Sequence, residues 1–137
     1  MPVRPHVEIE GLKDIQKKLR DLDPALAKEL KGVNLAVADL VADSARAHVP
    51  SRTGAARSTV KAKGEQRYAV IRAGGKKAPY YPWLDFGGQP AGAAGNRAQR
   101  PFIAGGRYIY PTVERLRNKI VNEYVIMLGQ LLDKAGL

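Results

Sequence analysis

The chain has no cysteine, one tryptophan, two phenylalanines, two histidines and only 13 acidic residues against 23 lysines and arginines. Without thiols there are no disulfides, no thiol nucleophiles and no thiolate zinc sites. His6 and His48 leave little for a metal centre or a general base. No run of 18 apolar residues occurs, and the first ten residues, with Pro2, Arg4, Pro5, Glu8 and Glu10, lack the apolar core of a signal peptide. These absences predict a soluble protein of a reducing interior, with no membrane partner and no cofactor.

What is present suits one domain: 137 residues, 45% of them hydrophobic, with a formal charge of +10, close to the roughly 150 residues of a typical domain. The charge is not spread evenly. Residues 61–110 carry nine basic and two acidic side chains, whereas the segments on either side are nearly balanced. The basic set is Lys61, Lys63, Arg67, Arg72, Lys76, Lys77, Arg97, Arg100 and Arg107. Such a concentration suits a phosphate backbone or an acidic protein surface, or else a solvated rim.

Apolar spacing predicts helices at both ends. Leu12, Ile15, Leu19 and Leu22 recur at helical intervals between charged residues. Asp23 offers an N-cap and Pro24 suits a first helical position, so a second helix runs from there to about His48. Its stripe is Leu26, Leu30, Val33, Val37, Leu40 and Val41, widened by Ala27, Ala36, Ala38 and Ala45. Gly32 costs about 1 kcal/mol in a helix interior relative to alanine and marks a bend or a close contact. Pro50 biases Val49 out of the helical region, and His48 suits the negative end of the helix dipole better than it suits catalysis.

Arg57–Lys63 and Gln66–Ala73, separated by Gly64-Glu65, predict a β-hairpin. In the second run Tyr68, Val70 and Arg72 alternate with Ala69, Ile71 and Ala73, and either set can face the core. Tyr80, Tyr81, Trp83 and Phe86 then bring four of the nine aromatics into seven residues, as core anchors or as stacking platforms for bases. Residues 87–101 have no periodicity, and the loop over about 87–107 is expected to be functional, either flexible or used in assembly. Pro111 opens the last helix, with Val113, Leu116, Ile120, Val121, Tyr124, Met127, Leu128, Leu131 and Leu132 in helical spacing. The sum is an α+β arrangement: N-terminal helices and a long C-terminal helix packed on a small antiparallel sheet.

Catalytic signals are sparse. Gly75-Lys76 is followed by Lys77, and Val70 stands where a phosphate-binding loop needs its first glycine. Glu65 and Asp85 are the only acids of the basic region and form no carboxylate pair in sequence, and Ser44, Ser51 and Ser58 lack a nucleophile-elbow context.

Three blocks carry a resemblance. Val49-Pro50-Ser51-Arg52-Thr53-Gly54-Ala55-Ala56-Arg57-Ser58 follows a helix, Ala78-Pro79-Tyr80 leads to Leu84-Asp85-Phe86-Gly87, and Arg100-Pro101-Phe102-Ile103 precedes the last helix. In order and spacing, over most of residues 10–132, they resemble the neck, or minor tail-component, family of long-tailed bacteriophages, the head–tail joining and tail-completion proteins. Ala56 stands where that family usually has leucine, Asp85 replaces glutamate, Gly88 replaces threonine, and 104–110 is inserted.

The resemblance implies a non-enzymatic virion component assembled in the bacterial cytoplasm. It would form a homo-oligomeric, hexameric ring at the head–tail junction, touch head-closure or connector and tail-terminator or tail-tube proteins, and leave a channel for genomic DNA. Candidate contacts with subunits or channel DNA are Arg52, Arg57, Lys61, Lys63, Arg67, Arg72, Lys76, Lys77, Arg97, Arg100 and Arg107. Candidate loop anchors are Thr53, Gly54, Tyr80, Trp83, Asp85, Phe86, Gly87, Pro101 and Phe102. Thr53-Gly54 would turn the chain into the hairpin, Asp85 would pair with Arg52 or Arg57, and Phe86 and Phe102 would pin the loop's two ends.

Two other readings fit the same composition. One is an architectural DNA-binding protein whose basic hairpin embraces a duplex, with Pro79 or Pro82 as wedges. The other is a small metal-independent nuclease using Arg72 and Tyr81.

Overall fold

A computed structural model describes residues 6–7, 12–50, 54–66, 68–88, 100–134 and 136. The fold is α+β, with helices from both ends of the chain packed around a small antiparallel sheet. The first two helices have the ends expected from sequence: α1 is Leu12–Leu22 and α2 is Pro24–His48. The Asp23 carboxylate accepts from the Ala25 N–H at 2.9 Å, filling one of the donors that a helix start leaves free. At the other end Val49 is extended before Pro50.

Helix α2 is the spine of the molecule. Val37, Ala38, Val41, Ala42 and Ala45 are fully buried, each larger side chain contributing about 1.5–3 kcal/mol of transfer free energy. The helix runs through Gly32 as one element, and a Cβ at Gly32 would meet nothing, so no close contact explains that glycine.

The corner after α2 is a short helix, α3 (Ala55–Ser58), entered through Gly54 at φ 82°, where a left-handed residue is needed. The first hairpin strand therefore starts later than the sequence suggested. Ser58 Oγ donates to the Ala55 carbonyl at 2.8 Å and Thr59 Oγ1 to the Ala56 carbonyl at 2.6 Å, local bonds that compete with strand pairing.

Strand β2 (Lys61–Gly64) pairs with β3 (Ala69–Arg72), and β3 also pairs with a two-residue strand that the sequence did not announce, β1 (His6–Val7). The sheet order is β1-β3-β2, all antiparallel. Gly64 closes β2 instead of forming the turn, and the turn follows it, with the Glu65 N–H donating to the Tyr68 carbonyl at 3.0 Å. A Cβ at Gly64 would run into the Lys31 carbonyl oxygen and lie 2.6 Å from the Leu35 nitrogen, so glycine lets β2 touch the backbone of α2. This contact decides the faces: Ala62, Gly64, Ala69 and Ile71 face α2, while Lys61, Lys63, Val70 and Arg72 face outward.

The aromatic segment forms α4 (Tyr81–Phe86). The C-terminal helix differs from expectation in two ways. It begins at Ile109, so that Pro111 falls inside the first turn, where its missing N–H is not needed. It also breaks at Leu116 (φ −93°, ψ 6°) into α5 (Ile109–Arg115) and α6 (Arg117–Lys134).

The main core joins α2, the sheet, Tyr81, Ile109, Ile120 and Tyr124. A smaller cluster of Leu19, Leu26, Leu30 and Leu131 ties α1 to the end of α6. Between them sits Asn34, 1% exposed. Its amide nitrogen donates to the Glu65 and Gln66 carbonyls at 2.6 and 3.1 Å, and its oxygen accepts from the Tyr124 hydroxyl. One residue thus fixes the hairpin turn and α6 to α2.

Candidate interaction surfaces

The base of the long loop is built around Asp85, which is fully buried. Its carboxylate accepts from the backbone N–H groups of Arg107 at 2.6 Å, Tyr108 at 3.0 Å and Ile109 at 3.5 Å, and from the Tyr81 hydroxyl at 3.1 Å. Successive N–H groups at the start of α5 form a concave donor set that favours an anion. This is why α5 begins before Pro111. Burial above all, then the Asp85 charge and hydrogen bond, pushes the Tyr81 phenol far up, so it stays a donor. Arg57 does not pair with Asp85 as expected: its guanidinium donates to the Val49 carbonyl at 3.2 and 3.0 Å. Arg52 and Thr53, the other expected members of that corner, lie outside the described residues.

Around Asp85 the two ends of the loop are locked together. Gly88 and Arg100 exchange backbone hydrogen bonds at 2.6 and 3.1 Å, and the Ile103 N–H donates to the Phe86 carbonyl at 2.7 Å. Gly87, at φ 86°, lies so close to the Pro101 carbonyl that a Cβ would collide with its oxygen. Arg107 donates to the Asp85 carbonyl at 3.0 Å and to the Pro101 carbonyl at 2.5 Å. Arg100 lies 5.7 Å from the centre of the Trp83 ring and donates to the Tyr108 hydroxyl at 3.0 Å. Tyr81 is buried, Tyr80, Trp83 and Phe86 are half-buried, and Phe86 meets Tyr110 at 6.1 Å between ring centres. Of the four, Tyr81 is a core residue. Of the two prolines expected as wedges, Pro82 is half-buried in the first turn of α4, which is no place for one, while Pro79 is exposed in the turn before it.

Phe102 corrects the expectation of a second buried pin: it is 70% exposed. Ile103, next to it in sequence, is exposed too, as is Tyr110, and α6 presents a second exposed apolar set, Val121, Val125 and Ile126. The helical spacing that predicts the last helix does not separate these residues from the core, because apolar positions cover more than one face.

The expected basic set divides in two. Arg57, Arg100 and Arg107 are engaged with backbone carbonyls, a ring or a hydroxyl. Lys61, Arg72, Lys76 and Lys77 are exposed, and among the described residues no carboxylate pairs with them; Lys63 is exposed and meets Glu65 at 3.1 Å. Arg67 and Arg97 lie outside the described residues. The register places Lys61 directly opposite Arg72 and Lys63 opposite Val70.

A groove of about 320 Å³ runs past Lys31, Glu65, Gln66 and Tyr68, at the hairpin turn that Asn34 holds. Arg72 and Tyr81 are not brought together: one is exposed on the sheet and the other is sealed in the core against Asp85. Among the described residues no three acidic or histidine side chains converge on a point where a metal could sit, and no helix is long and apolar enough to cross a membrane. Burial pushes the Tyr124 phenol up to about 12, which keeps it a donor to Asn34. No family model, curated protein or solved structure matches the chain.

Proposed function

We propose that this chain is a structural, non-enzymatic part of a bacteriophage neck, closing into a ring that joins the DNA-filled head to the tail. One observation carries the reading. The second and third of the sequence blocks that resemble the neck family meet in space: Gly87 of the second lies against Pro101 of the third and the Ile103 N–H donates to the Phe86 carbonyl, while Asp85 beside them binds the N–H groups of Arg107 and Tyr108 in the inserted segment. The blocks thus do architectural work, and they leave Phe102 and Ile103 of the third block facing solvent. A closed ring needs one patch on each subunit to meet a different patch on the next. The Phe102–Ile103 surface and the exposed Val121–Val125–Ile126 face of α6 supply two such apolar patches.

Cryo-electron microscopy of particles containing the chain tests this. A ring of about six copies at the head–tail junction is expected, and particles without the chain would overturn the reading. Phe102→Asp should yield separate heads and tails, while its unfolding free energy in urea stays within the roughly 0.5 kcal/mol typical of surface changes.

A further inference from the structure

We infer that the outer face of the hairpin is a binding surface for a nucleic-acid phosphate backbone, made by Lys61, Lys63 and Arg72 with Lys76 and Lys77 beyond the end of β3. The inference stands on this face alone and does not need the ring.

The geometry is that of a charged ribbon. Lys61 and Lys63 project from the same side of β2, about 7 Å apart at the usual rise of a strand. Arg72 stands directly across from Lys61, about 5 Å away between Cα atoms. Like charges directly opposite each other weaken a strand pair, so the free protein carries a repulsion at this point that an anion removes. Folding does not require it, because the inner face of the same strands does the packing through Ala62, Gly64, Ala69 and Ile71. Glu65, on Lys63, is the only carboxylate paired with this group among the described residues.

The same face is poorly made for a protein partner. The centres of protein interfaces are rich in aromatic residues and poor in lysine, whereas this face offers the half-buried Val70 between long cations. The apolar patches lie elsewhere, at Phe102–Ile103 and on α6. A phosphate backbone needs no apolar anchor, since release of condensed counterions drives the association. Among the described residues of β2 and β3, no Asn, Gln or paired Arg stands on the face to read base edges, so the contact is independent of sequence.

The test is binding of the full chain to a random-sequence 30-base-pair duplex, followed by fluorescence anisotropy across salt. Five phosphate contacts at about 0.9 counterion each predict an affinity that falls about 500-fold between 50 and 200 mM salt. With Lys61→Gln, Lys63→Gln and Arg72→Gln combined, the fall should shrink to about 12-fold. Lys76→Gln with Lys77→Gln, in a turn outside the strands, should give an intermediate fall of about 40-fold. Removing the same charge from exposed positions on other elements, by Lys17→Gln, Lys18→Gln and Lys119→Gln, should leave the wild-type salt dependence. No duplex binding at 50 mM salt overturns the inference, and so does a control variant that behaves like the hairpin variant. Binding to polyglutamate in place of DNA, lost in the hairpin variant, assigns the face to an acidic protein instead. A junction ring in particles without DNA binding by the chain would sink this inference alone; DNA binding by a chain absent from particles would sink the neck reading alone.

Discussion

The hairpin face and the base of the loop are both rich in cations, yet they use them in opposite ways. At the loop base Arg100 and Arg107 hold a ring, a hydroxyl and two carbonyls, and the one buried charge, Asp85, is met by backbone donors. Arg57 and Arg46 act similarly at the α2–α3 corner, on the carbonyls of Val49 and Val60. On the hairpin the cations are mostly lysines, and they face water. The planar guanidinium can bond two oxygens in fixed geometry, whereas an ammonium on a flexible stem orders less readily. Formal charge is therefore a poor guide to which residues are available to a partner. The fold consumes several arginines before any partner arrives, and among the described residues of the basic set Arg72 is the arginine that stands with the lysines.

Mutation can break this contrast or make it sharper. The largest effect belongs to Asp85→Ala, which strands the N–H groups of Arg107 and Tyr108 in a buried site and should cost about 4 kcal/mol in urea unfolding. A change under 1 kcal/mol would mean that the loop base is not what holds the start of α5. Arg107→Lys keeps the charge and loses the forked bond to the Asp85 and Pro101 carbonyls, for an expected loss of about 2 kcal/mol; equal stability would erase the distinction drawn between the two cation types.

Tyr124→Phe leaves the Asn34 oxygen without its donor and should cost about 1.5 kcal/mol. The effect has a pH signature. Because burial raises this phenol to about 12 from the ordinary 10.0, the folded state holds its proton more tightly than the unfolded one. Its contribution is complete below pH 10 and is lost as the pH rises towards 12, so urea midpoints measured from pH 9 to 11 should fall less steeply in the variant. The smallest effect is Lys61→Gln, which relieves the repulsion with Arg72 and should raise stability by about 0.3 kcal/mol in the same assay. A clear loss would mean that Lys61 is part of the framework.

The helical skeleton was readable because its signals are local. The spacing of Leu12 to Leu22, the Asp23-Pro24 start and the Val49-Pro50 stop all act within a few residues. The hairpin face was not readable, since Val70 and Ile71 make both alternating sets partly apolar; the contact of Gly64 with the backbone of α2 settles it. Asn34 left a signal that could have been used: it falls in the stripe of Leu30, Val37 and Val41, a polar residue on a buried line. The expected pairing of Asp85 with Arg57 failed for a deeper reason. A sequence displays side-chain charges, which invite pairing with an arginine, but it hides the backbone donors that a helix start leaves free. The break at Leu116 has no counterpart in the residue pattern. Two of the three blocks are neighbours in the fold, around Gly87 and Pro101, and the open hairpin cations stand out only once the others are seen to be occupied.

The backbone pairing of Gly88 with Arg100 also bears on how this chain can vary. It works as a stem, fixing both feet of the intervening eleven residues on the body of the protein. The closure entropy of a stemmed loop grows only with the logarithm of its length, about 0.6 kcal/mol for each doubling. A peptide tag spliced between Gly88 and Arg100 should therefore leave the framework folded, because the two feet are held by their bonds to each other.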